Sequence, residues 1–128
     1  MKALVLESPG EEPVLTVLDV PDPRVGPGEV LVRIAACGLC HHDISIMRGL
    51  LRRGVKPGLI LGHEISGTVV DVGEKVNNLK IGSRVAARLT ASCGQCLTCL
   101  KGDRYRCTYG SGIGHGSDGG LQEMITLN

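Results

Sequence analysis

Residues 29 to 36 read Glu-Val-Leu-Val-Arg-Ile-Ala-Ala, with Val30, Val32 and Ile34 on one parity and Leu31, Arg33 and Ala35 on the other. That period of two belongs to a β-strand with one buried face. Residues 2–6 (Lys-Ala-Leu-Val-Leu) and 14–20 carry further short apolar runs, separated by the polar turn Glu7 to Pro13. Pro21-Asp22-Pro23 and Gly26-Pro27-Gly28 then break the chain. After Cys37 the period changes: Ile44, Met47 and Leu50 fall at helical spacing, which predicts a short helix. Residues 63–73, rich in Val, Ile and Thr, return to strand character, as do Arg84 to Leu89 and, after a Gly-rich stretch at 110–120, Leu121 to Leu127. The pattern predicts one mostly antiparallel β-barrel carrying long functional loops, with short helices.

Composition narrows this picture. The 128 residues suit one domain and are few for two of ordinary size. Trp and Phe are absent and Tyr occurs only twice, so Val, Leu, Ile and Ala must build the core. The 19 Gly and 6 Pro favour turns and short strands over long helices. A net charge of +1, with no run of like charges, points away from nucleic acid and anionic membranes. No apolar run approaches the ~20 residues of a membrane span, and the start of the chain is too short for a signal-peptide core. These features predict a soluble cytoplasmic domain.

The cysteines change the picture most. Four of the six are clustered as Cys93-x2-Cys96-x2-Cys99-x7-Cys107. Clustering without a secretion signal argues against a disulfide framework. Two-residue gaps let thiolates converge on one ion, and four of them close its coordination shell, as in structural zinc sites. A single CxxC could be a redox pair. Three cysteines in CxxCxxC plus a fourth are far more specific to metal, with an iron–sulfur cluster the chemical rival to zinc. The expected zinc lobe spans about residues 91–108, and Lys101, Arg104 and Arg106 would offset part of the thiolate charge.

A second constellation lies upstream. Cys40-His41-His42-Asp43 follows a strand, and His63-Glu64 opens the next one. A thiolate, an imidazole and nearby carboxylates form a partial metal shell; a catalytic zinc takes three protein ligands and keeps one position open. On the residues alone, a core cysteine with a capping histidine fits equally well. Cys37, at the end of an apolar strand, reads as packing. Gly110-Ser-Gly-Ile-Gly-His-Gly116 lacks the flanking strand and helix of a phosphate-binding loop and reads as a loop, with His115 a loop residue and a local candidate for a third metal ligand.

Taken together, these segments resemble the zinc-dependent medium-chain alcohol dehydrogenases. Cys37-Gly-Leu-Cys-His-His-Asp43 resembles their first metal motif, Gly62-His-Glu-Ile-Ser-Gly-Thr-Val-Val-Asp-Val-Gly73 their second, and the cysteine loop their structural zinc lobe. With Gly82-Ser-Arg-Val85 the likeness covers nearly the whole chain. It implies a GroES-like β-barrel over residues 1–128, with Cys40 and His63 as catalytic-zinc ligands, Glu64 close to that metal and Asp43 supporting the site. It implies Lewis-acid assistance by the zinc during hydride transfer between an alcohol or carbonyl substrate and NAD(P). His41 corresponds to a position commonly near the cofactor phosphate. His42 stands where many members have the Ser or Thr that begins a proton relay, a departure that puts the substrate class in question.

In that family a Rossmann domain follows and binds the nicotinamide, and a third catalytic-zinc ligand lies downstream; the resemblance thus implies a catalytic domain separated from its cofactor-binding partner. A free-standing zinc-binding module or gene remnant without catalysis is the alternative. A barrel without that partner is expected to expose apolar surface that favours self-association.

Overall fold

The computed structural model describes residues 1–128. Its organising strand is β3 (Val30–Gly38), which pairs antiparallel on one side with β5 (Glu64–Val72) and on the other with β9 (Met124–Leu127); β6 (Arg84–Ala86) extends the sheet beyond β5. A second sheet places β1 (Lys2–Ser8) between β2 (Val14–Asp19) and β4 (Leu59–Ile60). The segment 119–123 joins the two. Gly119 N donates to Ile60 O (2.7 Å) and Leu121 N to Leu61 O (3.0 Å), while Leu4 N reaches Leu121 O (2.8 Å) and Ile34 N reaches Glu123 O (2.9 Å). With these bonds the sheets wrap into a barrel.

The predicted alternation in β3 holds only in part. Val30 and Val32 are buried and Arg33 is exposed, but the ladder slips between Ile34 and Ala36. The extra residue reverses the parity of the strand. As a result the odd-numbered Cys37, expected to pack, does turn against the core of Val30, Val32, Ile65, Val69, Ile113 and Ile125. The slip also sets Cys37 opposite Ile65 and Gly38 opposite Glu64. Cys40, two residues past the ladder on one strand, therefore meets His63, one residue before it on the other.

Several expected boundaries moved. The final ladder starts at Met124 and not Leu121, because residues 119–123 are taken by β1 and the 60–62 segment. Only Arg84–Ala86 of the expected 84–89 strand pairs with β5, and the short strand β4 was not anticipated. The helix after Cys37 is α1 (His41–Met47), but its inner face is Asp43 and Ile46. Leu50, at the same helical spacing as Ile44 and Met47, lies past the end of α1 and is 73% exposed. The cause is local: Cys40 caps the helix and Asp43 is drawn inward, which fixes the 43/46 side as the buried one.

A second core cluster, Leu6, Ile46, Leu59 and Leu61, holds β1, α1 and β4 together. A cleft of about 910 Å³ with a mixed lining opens between the two sheets, with Val5, Val32, Ile60, Ile113 and Ile125 beside polar residues such as Glu29, Arg88 and Asp118. Exposed Val14, Val17 and Leu18 on β2, and Leu97, Leu100, Tyr105 and Tyr109 around the cysteine loop, leave apolar area at the surface. No helix is long and apolar enough to cross a membrane.

Leu6 is fully buried in the second cluster. Leu6→Ala is expected to lower the unfolding free energy by about 2–5 kcal/mol, the range for removing a buried leucine side chain. A denaturant midpoint equal to that of the unsubstituted chain would show that β1 is not held through this contact.

Candidate metal centres

The cysteine lobe is closed at its base by a two-residue ladder, in which β7 (Thr90–Ala91) pairs with β8 (Ser111–Gly112). Between them the chain winds through α2 (Leu97–Leu100) and a 3-10 turn at Arg104–Arg106. The winding brings the sulfurs of Cys93, Cys96, Cys99 and Cys107 all within 4.8 Å of one another, with none in a disulfide. Cys107 Sγ lies 3.5 Å from Cys93 Sγ and 3.9 Å from Cys96 Sγ. A tetrahedron with bonds of about 2.3 Å, the zinc–thiolate length, has edges of about 3.8 Å. A disulfide would need about 2.05 Å. The spacing fits a shared tetrahedral ion and not a disulfide.

Backbone amides point at these sulfurs: Cys93 N donates to Cys107 Sγ and Cys96 N to Cys93 Sγ, both at 3.3 Å. The Thr98 hydroxyl, 3.0 Å from Cys96 Sγ, together with the amides of Cys99 and Thr108, brings the Cys96 thiol down to about 5. The amide of Cys93 lowers Cys107 in the same way. Cys99 is pushed up to about 12, by burial first and by its thiol neighbours second. One cluster therefore holds thiols that ionise readily beside one that resists, as expected where four like groups crowd together. The Arg88 guanidinium sits 4.6 Å from the Tyr105 ring centroid and braces the lobe against the strand region before it.

The upstream constellation is assembled by Asp43. This carboxylate is inaccessible to solvent. Its Oδ2 accepts the Cys40 amide (3.0 Å), completing a capping box at the start of α1, and its Oδ1 accepts the Gly62 amide (3.0 Å). Asp43 thus ties the first metal motif to the second. Gly62 has φ +89, and a Cβ there would come within 2.5 Å of Cys37 Sγ, so only glycine fits this junction. At Gly38 a Cβ would meet the Glu64 carboxylate, so a larger residue there would displace that side chain.

These junctions place His63 Nε2 3.2 Å from Cys40 Sγ. One carboxylate oxygen of Glu64 completes a group whose ligand atoms lie within 4.8 Å of one another. His63 Nδ1 is buried without a hydrogen bond, and its nearest carboxylate oxygen is Asp43 Oδ1 at 3.6 Å. Of the residues expected here, Cys40, His63, Glu64 and Asp43 are brought together. His42 stands beside them, its ring edge-on to that of His63 with centroids 5.5 Å apart. Burial lowers the His42 imidazole below its usual range, with His115 and His63 adding to the effect. His41 is exposed on the first turn of α1, separate from this set.

His115 lies in a turn, as expected of a loop residue, and is not part of the Cys40–His63–Glu64 group. Its Nδ1 lies 3.1 Å from His42 Nε2, and its Nε2 donates to the Arg53 carbonyl at 2.5 Å. Both ring nitrogens are engaged, and Glu64 takes the third place in the metal group instead. The cleft between the sheets is lined by none of these residues.

A mostly antiparallel barrel bearing a four-cysteine lobe and a Cys–His–Glu cluster defines the metal-binding catalytic domains of dehydrogenases. The family model for the alcohol dehydrogenase GroES-like domain matches residues 26–128, and the chain belongs to that family. It is 42% identical over 124 residues to an alcohol dehydrogenase of Geobacillus stearothermophilus, covering 96% of this chain and 36% of that protein. It is 40% identical over 129 residues to the L-threonine 3-dehydrogenase of Streptomyces avermitilis, covering 99% of this chain and 37% of the relative. Among solved structures, the alcohol dehydrogenase from the archaeon Aeropyrum pernix superposes with a TM-score of 0.91 at 33% identity, over 100% of this chain and 38% of that one. The chain therefore spans little more than a third of the length of these relatives.

Asp43 supplies the test of the junction. Asp43→Ala leaves the buried amides of Cys40 and Gly62 without acceptors, at about 1–3 kcal/mol for each unsatisfied group. Asp43→Asn keeps one side-chain oxygen and should lose roughly half as much in urea unfolding. Equal losses in the two variants would mean that hydrogen-bond acceptance is not what Asp43 contributes.

Proposed function

We propose that this chain is the zinc-binding catalytic domain of an alcohol-dehydrogenase-type oxidoreductase, moving hydride between an alcohol or carbonyl substrate and NAD(P) within the full enzyme and inactive alone. The observation that carries the reading is the pair of preassembled donor sets, one of four thiols and one of Cys40, His63 and Glu64. The first fits a structural zinc. The second fits a catalytic one: the 3.2 Å between Cys40 Sγ and His63 Nε2 is near the edge of about 3.5 Å that zinc–sulfur and zinc–nitrogen bonds of about 2.3 and 2.0 Å subtend.

His63 also suits the role by its unsatisfied nitrogen. Ligation through Nε2 leaves the proton on Nδ1, which faces Asp43 Oδ1 and is oriented by it. A zinc ion held there would supply Lewis acidity toward a substrate oxygen. The residues of this chain do the rest. Cys40 and Glu64 bring negative charge that holds the cation. Asp43 fixes the geometry of both motifs. His42, in place of a hydroxyl residue, provides an imidazole able to pass a proton near neutral pH. His41 is assigned to the phosphate of a nicotinamide cofactor on the family likeness, and its exposure at the start of α1 supports that role.

Metal analysis of the purified protein is expected to give two zinc ions per chain, one for each donor set. Cys99→Ser should release the tighter one and lower the melting temperature. Cys40→Ser should release only the weaker one, with the fold retained. Iron in place of zinc, or an unchanged zinc count in Cys40→Ser, would overturn the assignment.

Zinc at Cys40 and His63 should also leave first under a mild chelator, and more readily as pH falls, because protons compete for the thiolate and the imidazole. Calorimetric titration with NADH should show no low-micromolar binding, and the chain alone should not oxidise a simple alcohol with added NAD. Turnover abolished by Cys40→Ser would show that the chain is catalytic by itself.

A further inference from the structure

The Arg53 carbonyl, His115 and His42 form a hydrogen-bonded line from the Arg48–Gly58 loop to the edge of the Cys40–His63–Glu64 group. The direction of every bond in it is fixed by one group. A carbonyl can only accept, so His115 Nε2 carries a proton and donates it to Arg53 O. A neutral imidazole holds one N–H, so His115 Nδ1 bears the lone pair. His42 Nε2, 3.1 Å away, must then be the donor. The remaining nitrogen of His42, Nδ1, is left with its lone pair on the side of the ring turned away from His115.

We propose that His115 is a positioning residue: anchored on the Arg53 carbonyl, it sets the ring orientation and hydrogen-bond direction of His42 beside the Cys40–His63–Glu64 centre. His42 then meets a substrate hydroxyl or a water as an acceptor and not as a donor. The rings of His42 and His115 are tilted by 40° with centroids 5.1 Å apart, so the pair is held by the nitrogen–nitrogen bond and not by stacking. Because the anchor is backbone, the side chain of Arg53 takes no part, and the conformation of its loop is communicated to the centre. What His42 does there rests on the metal-centre reading above; the hydrogen-bond direction does not.

The test is a long-range proton–nitrogen correlation spectrum of histidine-labelled protein at about pH 8, above the ordinary imidazole range near 6.5. His42 and His115 are both expected as Nε2–H tautomers, with and without added zinc. His115→Phe should release His42 into a mixture of tautomers. His115→Asn, whose side-chain oxygen accepts in place of Nδ1, should restore the Nε2–H form, and Arg53→Ala should leave it unchanged. Finding His42 protonated on Nδ1 in the unsubstituted chain would overturn the proposal, even if His115→Phe failed to fold. So would a His42 signal unaltered by His115→Phe, or a His42 Nε2 that gives up its proton to added zinc. Zinc content, measured in parallel, reports separately on the metal-centre reading.

Discussion

The carboxylate of Asp43 is a charged group with no access to water, and such a group is tolerated only where hydrogen bonds replace its hydration. Two amides do so here, one from Cys40 and one from Gly62, far apart in sequence. Their requirements set much else. The Cys40 bond caps α1 and dictates which face of that helix turns inward, so that Ile46 enters the core with Leu6, Leu59 and Leu61. The Gly62 bond holds the chain just before β5 against the start of the helix. Between them, a thiol and an imidazole from separate segments arrive 3.2 Å apart. Burial of one carboxylate is in this sense the condition for both the local fold and the centre.

The two donor sets are built by different means. In the lobe, one short segment winds on itself and a two-residue ladder closes it, so its geometry depends little on the barrel. In the Cys40–His63 centre, the geometry comes from strand register. The slip in β3 between Ile34 and Ala36 decides that Gly38 faces Glu64, and a register one residue different would carry Cys40 away from His63. The lobe is thus a local structure and the centre a tertiary one.

That difference explains what could be read from the residues. The lobe was legible because its spacing is its geometry: Cys93, Cys96, Cys99 and Cys107 meet as the intervals demand. The strands with strong alternation were legible too, β3 and β5 above all. The Cys40–His63 pair was ambiguous without a family likeness, since its proximity depends on a bulge that alternation conceals. Ile44, Met47 and Leu50 announced the helix but not which of its faces turns inward, because that is set by one buried carboxylate. His115 was read as a loop residue and lies in a turn, but its contacts were not legible. Nothing in Gly-Ile-Gly-His-Gly indicates that the loop folds back onto α1, and only the positions of Arg53 and His42 show it.

Charge separates the two centres further. The four thiols of the lobe have Arg88, Arg104, Arg106 and Lys101 in or beside the same segment to offset thiolate charge. A metal held by all four would have a complete shell, with no place for a substrate. Around His63, by contrast, one thiol and two carboxyl groups, from Cys40, Glu64 and Asp43, surround one imidazole. Glu64 lies at the exposed edge of this group while Asp43 is sealed behind it. The group is therefore closed on its inner side and open on its outer one, as a metal that exchanges substrate would require. His42 and His115 stand beside it, and none of these residues lines the cleft between the sheets.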